Sequence, residues 1–372
     1  MGGRAARRST PRTRACICSR VGRRALSIAL FLASLRPSPS LAATISVPAD
    51  YGTIQAALGA AAPGDTIEVN SGTYGEKLVF PMSGSPGAPI VLKAKPGAPT
   101  RPVIDGTGVT GANMILIDSK SHVAVVGFEI RNNLGVNDGS GIRILGAAAG
   151  IEIRDNVIHD MRGRHAMAIT VYGTEPTPIS DLTIEDNQIY DCEPAASEAL
   201  AINGNVDGFS VARNSVRDVN NIGIVMIGGE RDIQPDSTLV ARHGNVRGNT
   251  VKRARSIYGG GFAAGIYVDG GRDIVIENNV VTESDLGIEI GAENTGLVAQ
   301  NVVVRNNLVY RNDKAGIAFG GYATSARRLQ SFRGRRLASN ISILAPLTPT
   351  CFDGFISTLT DPKTLTSASP NE

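Results

Sequence analysis

A chain of 372 residues with 42% hydrophobic residues can bury a sizeable core, in one domain or two. Glycine is abundant at 43 residues, aromatics are only 5%, Trp is absent and there are four Cys, which excludes both a disordered chain and a disulfide-stapled one. The formal charge of +3 hides an acidic body: residues 44–322 carry 22 basic and 31 acidic side chains, a net of −9, which argues against a nucleic-acid partner gripped through its phosphates.

Residues 1–43 read as a targeting segment. Nine Arg and no acidic residue accompany the apolar run Ala25–Leu35. That run is too short to span a bilayer but suits a signal peptide. Ser40-Leu41-Ala42 fits a small-x-small cleavage site. Arg23-Arg24 reads as part of an ordinary basic leader rather than a twin-arginine signal. The expected protein is secreted or periplasmic, with no stable membrane insertion after signal removal. Cys16 and Cys18 leave with the leader, and an oxidising compartment would allow the remaining Cys192 and Cys351 to pair.

The body opens with Tyr51–Leu58, which reads as a short amphipathic helix able to cap an open core. Short strands follow at 65–69, 72–74 and 89–92. Two units then recur. The first runs Ile151–Asn156 (IEIRDN) and returns with its Asn at Asn187, Asn214, Asn249, Asn279 and Asn307. The second is Gly-Ile-x-x, at Gly141, Gly223, Gly265, Gly287 and Gly316, with looser copies at Ala168 and Leu200. Both alternate apolar and polar residues, the period of a strand. The gaps are too short for crossover helices. A parallel β-helix of about ten turns accounts for this spacing. Asn at one position per turn would form a ladder of side-chain amides, and glycines would supply positive φ at the corners.

The stretches YGTIQAALGAAAPGDTIEVNSGTYGEKLVF, GAPIVLKA, VIDGTG, GIYVDGGRDIVIENNVV and VVVRNNLVYRN resemble secreted right-handed parallel β-helix proteins of the pectate-lyase-like superfamily. The resemblance covers about 44–322 and implies an all-β, right-handed parallel β-helix (solenoid) with a short N-terminal capping helix. It is weak for activity, since the superfamily includes polysaccharide lyases, pectin hydrolases and alginate epimerases. The adjacent Asp pair with Gly-His-Gly, the Asp-Pro-His motif and the Arg-x-Pro-x-x-Arg motif of these groups are missing. Residues 323–372, basic and then rich in Ser, Thr and Pro, carry no copy of either unit. They read as an altered or truncated end, or as a natural extension.

On such a solenoid, chemistry belongs to outward columns and their loops. Aligned Gly-Ile copies put Arg143, Thr170, Val225, Tyr267, Glu289 and Ala318 in one column. Leu145, Tyr172, Asn203, Ile227, Asp269, Gly291 and Gly320 form a second. Arg143, Asp269 and Glu289 are the expected catalytic residues, and Tyr172 and Tyr267 the expected sugar-stacking ones. Asp269, Asp273, Glu289 and Glu293 would hold Ca2+, a hard cation that prefers oxygen ligands. Asp285 lies in a flanking loop, Lys252 and Lys314 are further basic candidates, and His165 could face the same groove. The resemblance implies a lyase of uronic-acid polymers, acting as a monomer on polysaccharide. The alternative is a non-catalytic β-helix that binds glycans or serves as a surface structure.

Overall fold

The computed structural model describes residues 42–294 and 296–320, together with two short strands, Phe332–Arg333 and Ser342–Leu344. Nearly all of the expected leader, most of the tail and Cys351 lie outside these residues. The two short strands pair with Ala299–Gln300 and Leu308–Tyr310, so part of the segment expected to be irregular extends the sheets.

Alternating sequences form strands that coil into three parallel sheets of twelve, nine and ten strands. The nine-stranded sheet carries the Gly-Ile units, so the solenoid has about nine turns where about ten were expected. The twelve-stranded sheet carries the strands that lead into the ladder Asn. Inward residues of all three sheets form one continuous core, from Val47 through Ile153 and Ile276 to Val309. Register is fixed because a slip of one residue would turn every core side chain outward.

The expected helix spans Ile54–Ala60 and buries Ile54, Ala57 and Leu58 against the first turn. Thr53 caps it, its hydroxyl accepting from the Ala56 amide, and the Glu76 carboxylate accepts from the amides of Ile54 and Gln55. Those groups satisfy amides that a helix start leaves without partners.

The Asn ladder is continuous. Asn156, Asn187, Asn214, Asn249 and Asn279 each donate from Nδ2 to the Oδ1 of the next Asn at 2.9–3.0 Å, ending at Asn307. Each also donates to a main-chain carbonyl of a preceding turn, such as Asn214 to Ile184. All six are buried.

The corners differ from expectation in one respect. The residue before each ladder Asn has positive φ, but it is Asp155, Asp186, Arg213, Asn278 or Asn306 as well as Gly248. Asp and Asn tolerate this conformation best among non-glycine residues. The glycine of the Gly-Ile unit serves close approach instead. A Cβ on Gly287 would sit 2.2 Å from the Gly316 carbonyl oxygen of the next turn.

Candidate functional site

The parallel register places Arg143, Thr170, Ala201, Val225, Tyr267, Glu289 and Ala318 side by side on successive strands of the Gly-Ile sheet. The looser copy at Leu200 thus contributes Ala201, which the sequence alignment left out. Leu145, Tyr172 and Asn203 pair in the second column, as do Asp269, Gly291 and Gly320. Sequence logic makes these outward residues, yet many are buried. Tyr267 is 2% exposed and Asp269 4%. Ala201, Ile222, Val225, Ile227, Ala264 and Tyr267 form a second apolar cluster on the outer face.

Non-repeating loops build a cleft over this face. One wall consists of corners that precede Gly-Ile strands, with Asp138, Arg164, His165 and Ser197. The other is the long connection after Ile224–Ile227, with Glu230 and Arg231, joined by Asn294 and Leu297. The Asn294 side chain donates to the Gly228 carbonyl, tying two loops together. The cleft encloses about 980 Å³.

Five carboxyl groups, Glu198, Glu230, Asp269, Glu289 and Glu293, gather beside the cleft, and Glu230 lines it. Asn203 Nδ2 donates to Glu230 at 2.6 Å, and the Glu293 amide donates to Asp269 Oδ1 at 2.6 Å. Burial pushes Glu289 up to about 7, helped by the charge of Glu293. Burial and then Glu293 raise Asp269 well above the usual carboxylate range. Burial followed by repulsion from Glu230, Glu293 and Asp269 does the same to Glu198. Glu293 is raised by burial and by Glu230. None of these acids has an ion-pair partner among the described residues. The Tyr267 hydroxyl and Asn203 Oδ1 are buried beside them with no hydrogen-bond partner among the described residues. Carboxyl groups held partly protonated near neutral pH can both give and take protons.

The sequence-selected residues divide on this map. Asp269, Glu289, Glu293 and Tyr267 come together. Arg143 does not join them: four strand spacings separate it from Tyr267, about 19 Å. Arg143 instead forms a bidentate ion pair with Asp138, donates to Ser140, and lies 5.4 Å over the Tyr172 ring. Tyr172 lines the cleft, and its hydroxyl donates to the Met167 sulfur.

Asp273 is not a neighbour of Asp269. It belongs to the strand Arg272–Glu277 of the adjacent sheet, where it accepts from Asn301 and approaches His243. Position after a corner misled the alignment, because the chain changes sheet between Asp269 and Asp273. Asp285 is structural, accepting from the amides of Ser256 and Ala263. Lys252 pairs with Glu283 on the third sheet, and neither it nor Lys314 lines the cleft. Sequence reading missed Glu198 and Glu230. Each lies in a loop flanking a Gly-Ile strand, and that position was the available signal.

A Ca2+ site in this group would need several oxygen ligands closed around one point. Among the described residues no three His, Cys, Asp or Glu groups are placed to hold a metal ion.

Comparison with known proteins agrees with the coil of parallel sheets. Residues 236–328 match the family described as Right handed beta helix region. The chain has the right-handed parallel β-helix fold. This β-helix is 38% identical over 277 residues to the Bacillus subtilis (strain 168) uncharacterized protein YwoF, covering 70% of this chain and 58% of that protein. The chain thus spans under two thirds of the length of that curated relative. Among solved structures, the β-helix is similar to an alginate lyase from Paenibacillus sp. str. FPU-7, with TM-score 0.52, 18% identity, and coverage of 79% of this chain and 96% of that one. It is also similar to pectate lyase Pel9A, with TM-score 0.50, 14% identity and coverage of 80% and 79%. The periplasmic alginate epimerase AlgG gives TM-score 0.50, 13% identity and coverage of 76% and 61%. At these identities the likeness shows the fold alone.

Proposed function

We propose that this β-helix is an extracytoplasmic carbohydrate-active protein that holds a polysaccharide chain in the cleft and cleaves it by elimination, with uronic-acid polymers as the substrate class. The observation that carries this reading is the cluster of carboxyls at Glu198, Glu230, Asp269, Glu289 and Glu293, in which Asp269 is buried, Glu230 lines the cleft, and none has an ion-pair partner among the described residues. Elimination needs one group to remove the proton beside the sugar carboxylate and another to protonate the leaving oxygen. Neighbouring carboxyls whose environments hold different protonation states can supply both roles. Glu289, buried beside Tyr267, is the proposed proton donor. Arg164 and Arg231 line the same cleft and would supply positive charge to anchor an anionic polymer. That the similar solved structures include an alginate lyase, a pectate lyase and an alginate epimerase supports the choice of substrate class.

The test is to incubate the protein with a panel of uronic-acid polysaccharides, with and without Ca2+, and to follow the ultraviolet absorbance of the unsaturated product. A rise that disappears in Glu289→Gln and Asp269→Asn is the expected result. New reducing ends without that absorbance would replace elimination by hydrolysis. Binding without cleavage by folded protein would leave a glycan-binding β-helix.

A further inference from the structure

The same cleft carries a second constellation. Asp138, His165 and Ser197 occupy the same corner on three successive turns. The main chain stacks them: the Gly139 amide donates to the His165 carbonyl, and the His165 amide donates to the Ala195 carbonyl. Ser197 Oγ and His165 Nδ1 are hydrogen-bonded at 2.8 Å. Hydrogen bonds from Arg143 hold the Asp138 carboxyl well below the usual carboxylate range, and the charge of His165 contributes to that lowering. All three side chains line the cleft. Arg164 lines it too, with no ion-pair partner among the described residues.

A hydroxyl in hydrogen-bond contact with an imidazole, beside an ionised carboxylate, is the arrangement that activates a serine nucleophile. We propose that Ser197 and His165 form a second catalytic centre that hydrolyses ester substituents on the glycan lying in the cleft, with Asp138 as a positioning residue. Ser197 Oγ attacks the ester carbonyl carbon while its proton passes to His165. The tetrahedral intermediate expels the sugar hydroxyl, which takes that proton, and leaves an acyl group on Ser197. Water, giving a proton to His165, attacks the acyl carbon. Ser197 recovers its proton as the carboxylic acid departs. Arg164 faces the developing oxyanion. Asp138 makes no hydrogen bond to His165 and acts on it through its charge. The acids grouped around Asp269 take no part in these steps.

The test uses the full chain, a small acyl ester and a fluorophosphonate probe. Without polysaccharide in the assay, its failure and the failure of the polymer-cleavage reading are separate results. The expected outcome is covalent labelling that maps to Ser197, and ester turnover that falls at least about a hundredfold in Ser197→Ala and His165→Ala. Asp138→Asn should lower kcat with little change in KM, and Asp138→Glu should restore part of it, a split that loss of packing would not produce. Melting curves matching the unsubstituted protein show that each variant folds. Absence of labelling and turnover in folded protein, or turnover unchanged in Ser197→Ala, would overturn the proposal.

Discussion

Tyr267 stands directly beside Glu289 in the parallel register, and its buried hydroxyl has no hydrogen-bond partner among the described residues. Burial, followed by the charges of Asp269 and Glu289, raises the phenol far above its ordinary range, so it stays neutral. A buried hydroxyl without a partner costs stability, on the order of 1–3 kcal/mol. Tyr267→Phe is therefore expected to leave thermal stability unchanged or raise it by about 1 kcal/mol. If this hydroxyl meets the glycan, the same change weakens polymer binding. Calorimetric melting and affinity electrophoresis read the two effects separately.

Glu289 makes stability fall as pH rises. Its carboxyl is pushed from 4.5 up to about 7 in the folded protein. Between those values the unfolded chain has released the proton and the folded one retains it, so stability is lost across that window and stays low above it. At roughly 1.4 kcal/mol per pKa unit the effect reaches at most about 3 kcal/mol, reduced by solvent in the cleft. Denaturant midpoints measured from pH 4 to 8 should decline, and Glu289→Gln should flatten part of that decline. Polymer cleavage that needs the protonated acid should fall above about pH 7.

The ladder predicts a large effect from one small substitution. Asn214 accepts from both the amide and the side chain of Asn187, and donates to Ile184 and Asn249. Asn214→Ala strands the Asn187 main-chain amide in a dry core, while Asn187 Nδ2 keeps the Ile153 and Glu185 carbonyls. The orphaned amide costs about 1–3 kcal/mol, and a loss of that size is expected in chemical unfolding. Substitution of the exposed Arg247 two residues before the ladder Asn249 should change little, and comparison of the two separates ladder from surface.

Most of the solenoid was legible in the sequence. Ile151–Asn156 and its copies announce the ladder because an amide that recurs once per turn meets an identical neighbour on the next turn. The Gly-Ile units announce the second sheet because their glycine must admit the next turn. The capping helix was legible from its apolar spacing. The corner before the ladder was read too simply: positive φ there falls on Asp155, Asp186 and Arg213 as readily as on glycine.

The site was legible only in part. Register alone brought Tyr267, Asp269 and Glu289 to one face, since strand pairing is a local consequence of the repeat. The same logic grouped Arg143 with them although four strand spacings intervene, because a shared column fixes direction and not distance along the axis. Asp273 was misplaced because the chain turns onto another sheet just before it. Glu198, Glu230 and Ser197 sit in loops that do not repeat, whose paths are set by contacts such as Asn294 to Gly228 and Leu297 against Gly229. Strand period and a buried amide per turn therefore wrote the coil into the sequence. Which outward side chains are dry, which acids face one another and which corner brings a serine to a histidine were decided by the tertiary packing of loops between turns.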